Sequence, residues 1–479
     1  MSRNGWISSL LIMLALASFP AQAKVIDDPP GSLAHMQTIA DAIESSDTRP
    51  VHILYIHGIN AVGADDSKAF RDSLCTIVRL CASAWQNAGT EFPDKRAFAI
   101  DAPPPPLEYL GVPIWSSDNN AEEWRASAPF VTHYVVQIRG KNALLVVDEV
   151  NWWPIVLDLK CRKVLPSDTF LAGPNPSLLN FCAAPRTEDK RNPGRFTSYD
   201  WLTPAEAHDL ARQPNHAVLI NRNLKTGLED WGFSDVLLGV GPLRPLLEDG
   251  ILQLIVKSAA FNPHAEAGAT TVQEGRKPYD WQRHKAEGEY DQQFIAVTHS
   301  MGSFLLLDTL DLDIAPESKA PSAPHGRVPG DSPEDRALAY VVERTSQIYF
   351  FANQVLELEL AHLTSPVAPS ALLAPQAQPA PAPNPPSQTE LLSKWAQMRA
   401  AFQQKVQSGE SARNHKMQVI AFSDPSDLLT WREPPLHDVD VVNVYVQNAT
   451  HWFWVFESPM DAHDNYATNR NVLKVMFGK

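Results

Sequence analysis

Past its first two dozen residues the chain has no apolar run approaching the roughly 20 residues that a bilayer-spanning helix needs. It also lacks Cys-x-x-Cys and His-Glu-x-x-His patterns, so neither a zinc ribbon nor a zincin helix is visible and no metal or cofactor is expected. Lys and Arg are scarce, 40 against 55 Asp and Glu, for a formal net charge of −15. That balance argues against a nucleic-acid binder, whose affinity comes from clustered cations on phosphates. No internal period marks a repeat architecture. Hydrophobic content of 44% and charged content of 20% are those of an ordinary globular protein.

What is there begins with a short leader. Arg3 supplies a positive n-region, Ile7 to Phe19 is apolar or small, and Ala21-Gln22-Ala23 has the small-x-small pattern cut by signal peptidases. Residues 1–23 are therefore expected to be a signal peptide, and the mature chain an exported protein, periplasmic or secreted, without a transmembrane anchor. No Cys follows the cleavage site, so a lipid anchor is not indicated. Losing Arg3, the one charged residue of the leader, takes the net charge from −15 to −16. Four cysteines remain, and an even count in an exported chain points to disulfides. Their spacing favours the local pairs Cys75–Cys81 and Cys161–Cys182, with four separate buried thiols as the alternative.

Short β-branched and aromatic runs mark buried strands. VHILYI (51–56), QFIAV (293–297), 347–351, 418–422 and 441–446 are of this kind, and 134–150 reads as two strands around the turn 139–142. Helical stretches separate most of them, one opening near Ser67. Such alternation predicts an α/β fold with a mostly parallel sheet flanked by helices and long insertions. Residues 101–290 are the expected cap or insertion region, with Pro-rich and polar surface loops at 101–128 and 187–213. Another breaker-rich segment covers 316–333. Residues 366–386, with eight prolines, read as an extended linker. Beyond it Leu391, Trp395, Met398 and Phe402 fall at helical spacing, as core packing would require.

The strongest chemical signal is Thr298-His299-Ser300-Met301-Gly302-Ser303, between the run QFIAV and the helix-like FLLLDTL. A nucleophilic serine must stand clear of its own backbone, which a sharp strand-to-helix turn achieves. That turn demands small residues two places either side, and the new helix aims free N–H groups at a developing oxyanion. Gly302 meets the downstream demand, whereas Thr298 stands where glycine is usual. The same residues in an inert tight turn are the structural alternative. THSMGS resembles the GHSMGG elbow of the α/β-hydrolase superfamily, on its lipase and esterase side. His57-Gly58-Ile59-Asn60, after VHILYI, is similar to that family's HG-containing oxyanion loop. The resemblance runs from about Val51 to the C-terminus, although the motifs cover little of that length.

The resemblance implies the α/β-hydrolase fold and a Ser-acid-His chain order. It makes Ser300 the nucleophile and offers Asp427 or Asp424, after the strand 418–422, as the acid. Asp427, which precedes apolar residues, is preferred, and Asp424 then becomes a turn-forming residue. For the base it offers His463, in a loop before the helical NRNVLKVMF, in preference to His451 within HWFWVF. Gly58 allows close backbone approach, and the amides of Ile59 and Met301 are the expected oxyanion donors. His57 is read as structural and Asn60 as a loop-ordering residue.

A serine esterase or lipase acting on a small-molecule ester or lipid follows, working through an acyl-enzyme. Phospholipase and acyltransferase share the same triad, and a non-catalytic binding module of this fold is the alternative from another class. The apolar segment 236–255 is open to two readings, a lid or acyl-binding wall on one hand and ordinary packing on the other. Trp152 and Trp153 are expected either to line a cleft or to fill core.

Overall fold

The structure is a computed structural model describing residues 25–46, 49–59, 65–93, 128–159, 234–240, 244–263, 292–314, 333–359, 387–406, 416–448 and 459–478. The expected leader, the Cys161–Cys182 pair, the linker 366–386, Asn60 and His451 lie outside these residues, as do most of the expected surface loops. Among the described helices none is long and apolar enough to cross a membrane.

The runs read as strands all form strands. VHILYI is β2 (Val51–Ile56), with every residue buried. The hairpin around Arg139 to Asn142 joins β4 (Phe130–Gln137) to β5 (Leu144–Asn151). The later runs become β6 (Gln293–His299), β7 (Thr345–Phe351), β8 (Met417–Ser423) and β9 (Val439–Tyr445). Two strands carry no such signal. β1 (Ile26–Asp28) is only three residues long, and β3 (Gln86–Glu91) reads QNAGTE. Both are edge strands, held by the unpaired backbone of β9 and β4 rather than by apolar side chains.

Among the described residues nine strands make one sheet in the order β1-β9-β8-β7-β6-β2-β5-β4-β3. Neighbours from β9 through to β5 are parallel, while β1, β4 and β3 pair antiparallel. Parallel strands need crossovers, and crossovers place helices on both faces, so the interior strands bury both sides and lose polar alternation. On one face Val51, Ile53, Tyr55, Val297, Phe351 and Phe422 pack under α1 (Ile39–Ser45), α2 (Lys68–Thr76) and the C-terminal helix Arg470–Phe477. On the other, Leu54, Ile56, Phe294, Ala296, Phe350 and Ala421 join one core with the helices that follow β5.

Those helices are α3 (Trp153–Leu159), α4 (Ser234–Val240), α5 (Arg244–Ala260), α6 (Met301–Ile314), α7 (Pro333–Arg344), α8 (Val355–Glu359) and α9 (Gln388–Val406). α5 buries Leu246, Leu247, Ile251, Leu252, Leu254 and Ile255. A helix apolar on most sides must be enclosed, and α5 packs against α6 and α7. The larger part of segment 236–255 is thus core rather than lid. Leu391 and Trp395 of α9 are likewise buried, and Met398 packs against the same core. Cys75 and Cys81 form a disulfide.

Chain order and sheet order part company at β2. From there the chain reaches β5 on one side and β6 on the other. Such a reversal opens a crevice at the carboxyl ends of the strands, where open α/β sheets bind ligands. Register sets those ends level: Ile56 lies beside Val150 and Thr298, His299 beside Phe351, and Phe351 beside Phe422.

Candidate active site

β6 ends at His299 and α6 starts at Met301, so the whole turn between strand and helix is the single residue Ser300. Its φ is 53°, a left-handed conformation that costs a non-glycine residue on the order of 1–3 kcal/mol. The neighbours hold it there. Ser300 N–H donates to Phe351 O at 2.7 Å, and Ser300 O accepts from Ser303 Oγ at 2.7 Å. Thr298, the non-glycine departure in the motif, is fully buried and keeps its place between Ile56 and Phe350.

Two glycines let the first strand loop close on this turn. A Cβ on Gly302 would lie 2.4 Å from Ile56 O and 2.6 Å from His57 O. One on Gly58 would lie 2.5 Å from Ser300 Cβ and 2.9 Å from His299 O. No side chain fits either gap. The close approach packs Gly58 against Ser300, and Ile59, one residue further on, packs against the apolar core. Met301 heads α6, where the N–H groups of the first turn have no acceptor within the helix. Of the two expected oxyanion donors, Met301 follows the serine in the chain and Ile59 follows the glycine packed against it. Met301 is also touched from above, since a Cβ on Gly239 of α4 would collide with its terminal methyl.

His57 is the buried frame of this loop. Its ring stacks on Trp152 with centroids 5.0 Å apart, and its carbonyl accepts from Trp152 Nε1 at 3.0 Å. Nδ1 donates to Gly58 O at 2.8 Å. Burial lowers the His57 pKa to about 4, so the ring is neutral and Nε2 carries its lone pair. Trp152 thus fills core, whereas Trp153 is half-buried with its ring edge-on to Phe130.

The two aspartates after β8 separate cleanly. Asp424 organises its own loop, with Oδ1 accepting from Ser426 N–H at 2.8 Å and Oδ2 from Asn448 N–H. Asp427 faces His463, whose Nδ1 lies 3.0 Å from Oδ1 and 3.1 Å from Oδ2, with both side chains buried. A carboxylate on Nδ1 fixes that nitrogen as the donor and leaves the lone pair on Nε2. His463 stands in a six-residue helix, α10 (Pro459–Asp464), and not in a loop as its sequence suggests. A 3-10 turn, Asn465–Thr468, leads from it into α11 (Arg470–Phe477).

Ser300 Oγ and His463 Nε2 are both buried and have no hydrogen-bond partner. His299, which directly precedes Ser300, has its ring centroid 5.0 Å from that of His463, and no hydrogen bond joins Ser300 Oγ to His463 Nε2.

Two further residues belong to this site, and sequence reasoning gave neither a role. Tyr466, fully buried, donates from its hydroxyl to Asp427 Oδ2 at 3.1 Å and accepts from Asp424 N–H at 2.7 Å. His299 donates from Nε2 to His463 O at 2.8 Å. Tyr466 could have been suspected from its place three residues after His463, one helical turn away. His299 carried no signal beyond its place in the motif. His299, His463 and Asp464 also lie close enough to share a cation. His463 Nδ1 is engaged by Asp427 and His299 Nε2 by the His463 carbonyl, which leaves His463 Nε2 as an unpartnered nitrogen of the group.

Fold and site together define an α/β protein with a strained strand-to-helix serine and a buried His–Asp pair joined to the preceding residue, His299. Comparison with protein-family models, curated proteins and solved structures finds no match to this chain.

Proposed function

We propose that this chain is an exported serine hydrolase of the α/β-hydrolase fold that cleaves carboxylic esters. The observation that carries the reading is the His463–Asp427 pair. It leaves the Nε2 lone pair of His463 buried and unpartnered beside the residue that precedes a serine at φ 53°. His52 and His133 share the Nδ1–carboxylate contact and the unpartnered Nε2, so what sets His463 apart is its place beside the residue before that serine.

In this reading Ser300 Oγ attacks the ester carbonyl carbon while His463 Nε2 takes its proton. The C=O electron pair moves onto oxygen, where the N–H groups of Ile59 and Met301 receive it. Asp427 stabilises the imidazolium and keeps its Nδ1 proton in place. Collapse of the tetrahedral intermediate breaks the C–O bond to the alcohol, and His463 gives its proton to the departing alkoxide. The acyl-Ser300 ester is then attacked by water, whose proton passes to Nε2, and a second collapse releases the acid and restores Ser300. Because Ser300 is fully buried, part of its cover must move before an ester enters.

The test is a panel of nitrophenyl esters of increasing acyl length, assayed with the wild type and with Ser300→Ala. Hydrolysis by the wild type that is lost in the alanine variant supports the reading. Equal hydrolysis by both removes Ser300 from the mechanism. No hydrolysis of any ester by the folded wild type leaves a binding module as the better account.

A further inference from the structure

We propose that His299 is a positioning residue: its Nε2–H holds the backbone carbonyl of His463 and so fixes where that imidazole stands over Ser300. The proposal rests on Ser300 and His463 being the reacting pair. It adds a residue whose task is orientation rather than contact with substrate.

His463 sits near the end of α10, and a helix of six residues has too few hydrogen bonds to hold itself. Its last carbonyls also have no acceptor role left inside the helix and must find donors elsewhere. Two side chains supply them. Asn448 Nδ2 donates to Ala462 O at 2.8 Å, and His299 Nε2 donates to His463 O at 2.8 Å. His463 is thereby gripped at both ends, its carbonyl by His299 and its ring by Asp427. The two grips leave the imidazole little freedom.

A carbonyl only accepts, so His299 must carry its proton on Nε2. The surroundings keep that tautomer neutral: burial, chiefly, then the neighbouring His463, lower its pKa to about 3. The titratable groups around it are His463, Asp427, His57 and Asp464. Its ring stands edge-on to His463 and 6.4 Å from the centroid of Tyr466, wedged between the base and the tyrosine that holds the acid. Because His299 directly precedes Ser300 in the chain, the nucleophile and the base are anchored to one rigid piece of β6. Thermal drift of one relative to the other is thereby limited. A misplacement of about 1 Å at a reacting group can cost on the order of 10²-fold in rate.

The experiment compares His299→Met with His299→Gln. Met fills similar space without a donor. The Gln Nε2 stands as many bonds from the backbone as the imidazole Nε2 and can donate to the same carbonyl. Each variant is read by kcat and KM on an ester and, independently of activity, by the low-field NMR signal of the His463 Nδ1 proton, identified by its loss in Asp427→Ala. His299→Met should lower kcat about 10- to 100-fold with KM nearly unchanged, and should broaden or shift the proton signal. His299→Gln should restore both to near the wild-type values.

An unchanged kcat and proton signal in the Met variant overturns the proposal. So does a Gln variant as impaired as Met, since the ring rather than its hydrogen bond would then matter. Should Met fail to fold, His299→Asn, whose amide is too short to reach, replaces it, and equal behaviour of Asn and Gln is again contradictory. If Ser300→Ala retains hydrolysis while the proton signal responds as expected, the functional reading fails and the positioning of His463 stands.

Discussion

The Tyr466 hydroxyl donates to Asp427 Oδ2 at 3.1 Å, on the same carboxylate that receives the Nδ1 proton of His463. It accepts at the same time from the Asp424 amide at 2.7 Å, so one buried oxygen links the candidate acid to the turn that presents it. Tyr466→Phe keeps the ring stacked on Phe351 but strands the Asp424 N–H. An unsatisfied buried donor costs about 1–3 kcal/mol, and a protein of this size should lose roughly 1–3 °C in Tm. Turnover should fall about tenfold through looser orientation of Asp427. Calorimetry together with ester kinetics checks both. A variant unchanged in both would show that the hydroxyl is incidental.

Asp427 and Asp424 should separate in kinetics as they do in space. Asp427→Asn offers His463 an amide and selects the wrong tautomer, which should lower kcat about 10³- to 10⁴-fold. Asp424→Asn keeps one acceptor for its loop but turns an N–H towards Asn448 N–H, so it should cost stability while reducing kcat less than about tenfold. The reverse ranking would move the acid to Asp424.

A second buried constellation, away from the candidate site, should act purely through stability. Asp148 on β5 accepts from His52 Nδ1 at 2.7 Å and from His133 Nδ1 at 2.6 Å, all three buried, with Phe261 stacked on His133 at 4.0 Å. Burial alone would raise the Asp148 pKa. The His52 charge and the hydrogen bonds from His133 and His52 outweigh it and hold the carboxyl below its ordinary value. Asp148→Ala should destabilise by about 3–5 kcal/mol in urea unfolding, whereas replacing all three residues by leucine should cost less than that single change. A loss below about 1 kcal/mol in Asp148→Ala would contradict this.

Stability should also fall in mild acid. Unfolded, His57 and His299 take up protons near pH 6.5, whereas burial holds them neutral in the fold down to about 4 and about 3. The unfolded state then binds more protons across that window, so stability is full above pH 6.5 and drains away below it. Asp66 works in the opposite sense. Burial and the nearby Asp65 raise its pKa to about 7, so it costs stability as pH rises from about 4 to 7. Asp66→Asn should raise the urea midpoint at pH 8 and steepen its decline between pH 6.5 and 4. A lower midpoint at pH 8 would refute the assignment.

The interior of the sheet was legible because central parallel strands buried on both faces demand continuous apolar runs, as VHILYI and QFIAV display. β1 and β3 were not, since an edge strand can be held by backbone pairing alone and needs no side-chain signature. In the site, Ser300 and Gly302 were readable from the steric demands of the turn. Asp427 and His463 required the resemblance, because an Asp–His contact across 36 residues leaves no local pattern. His299 was invisible as a support, and Tyr466 was marked only by its spacing from His463. Their role is a hydrogen bond to a backbone carbonyl or a carboxylate brought near only by folding, and many polar residues could supply one.

Whether Ser300 is a live nucleophile decides the proposed mechanism most directly. Incubating the folded protein with a fluorophosphonate and mapping the adduct by peptide mass spectrometry answers this without knowledge of the natural ester. The expected result is a single adduct on Ser300, formed slowly or not at all in His463→Ala and absent in Ser300→Ala. An unlabelled Ser300 in folded wild-type protein, or labelling as fast in His463→Ala as in the wild type, would contradict it.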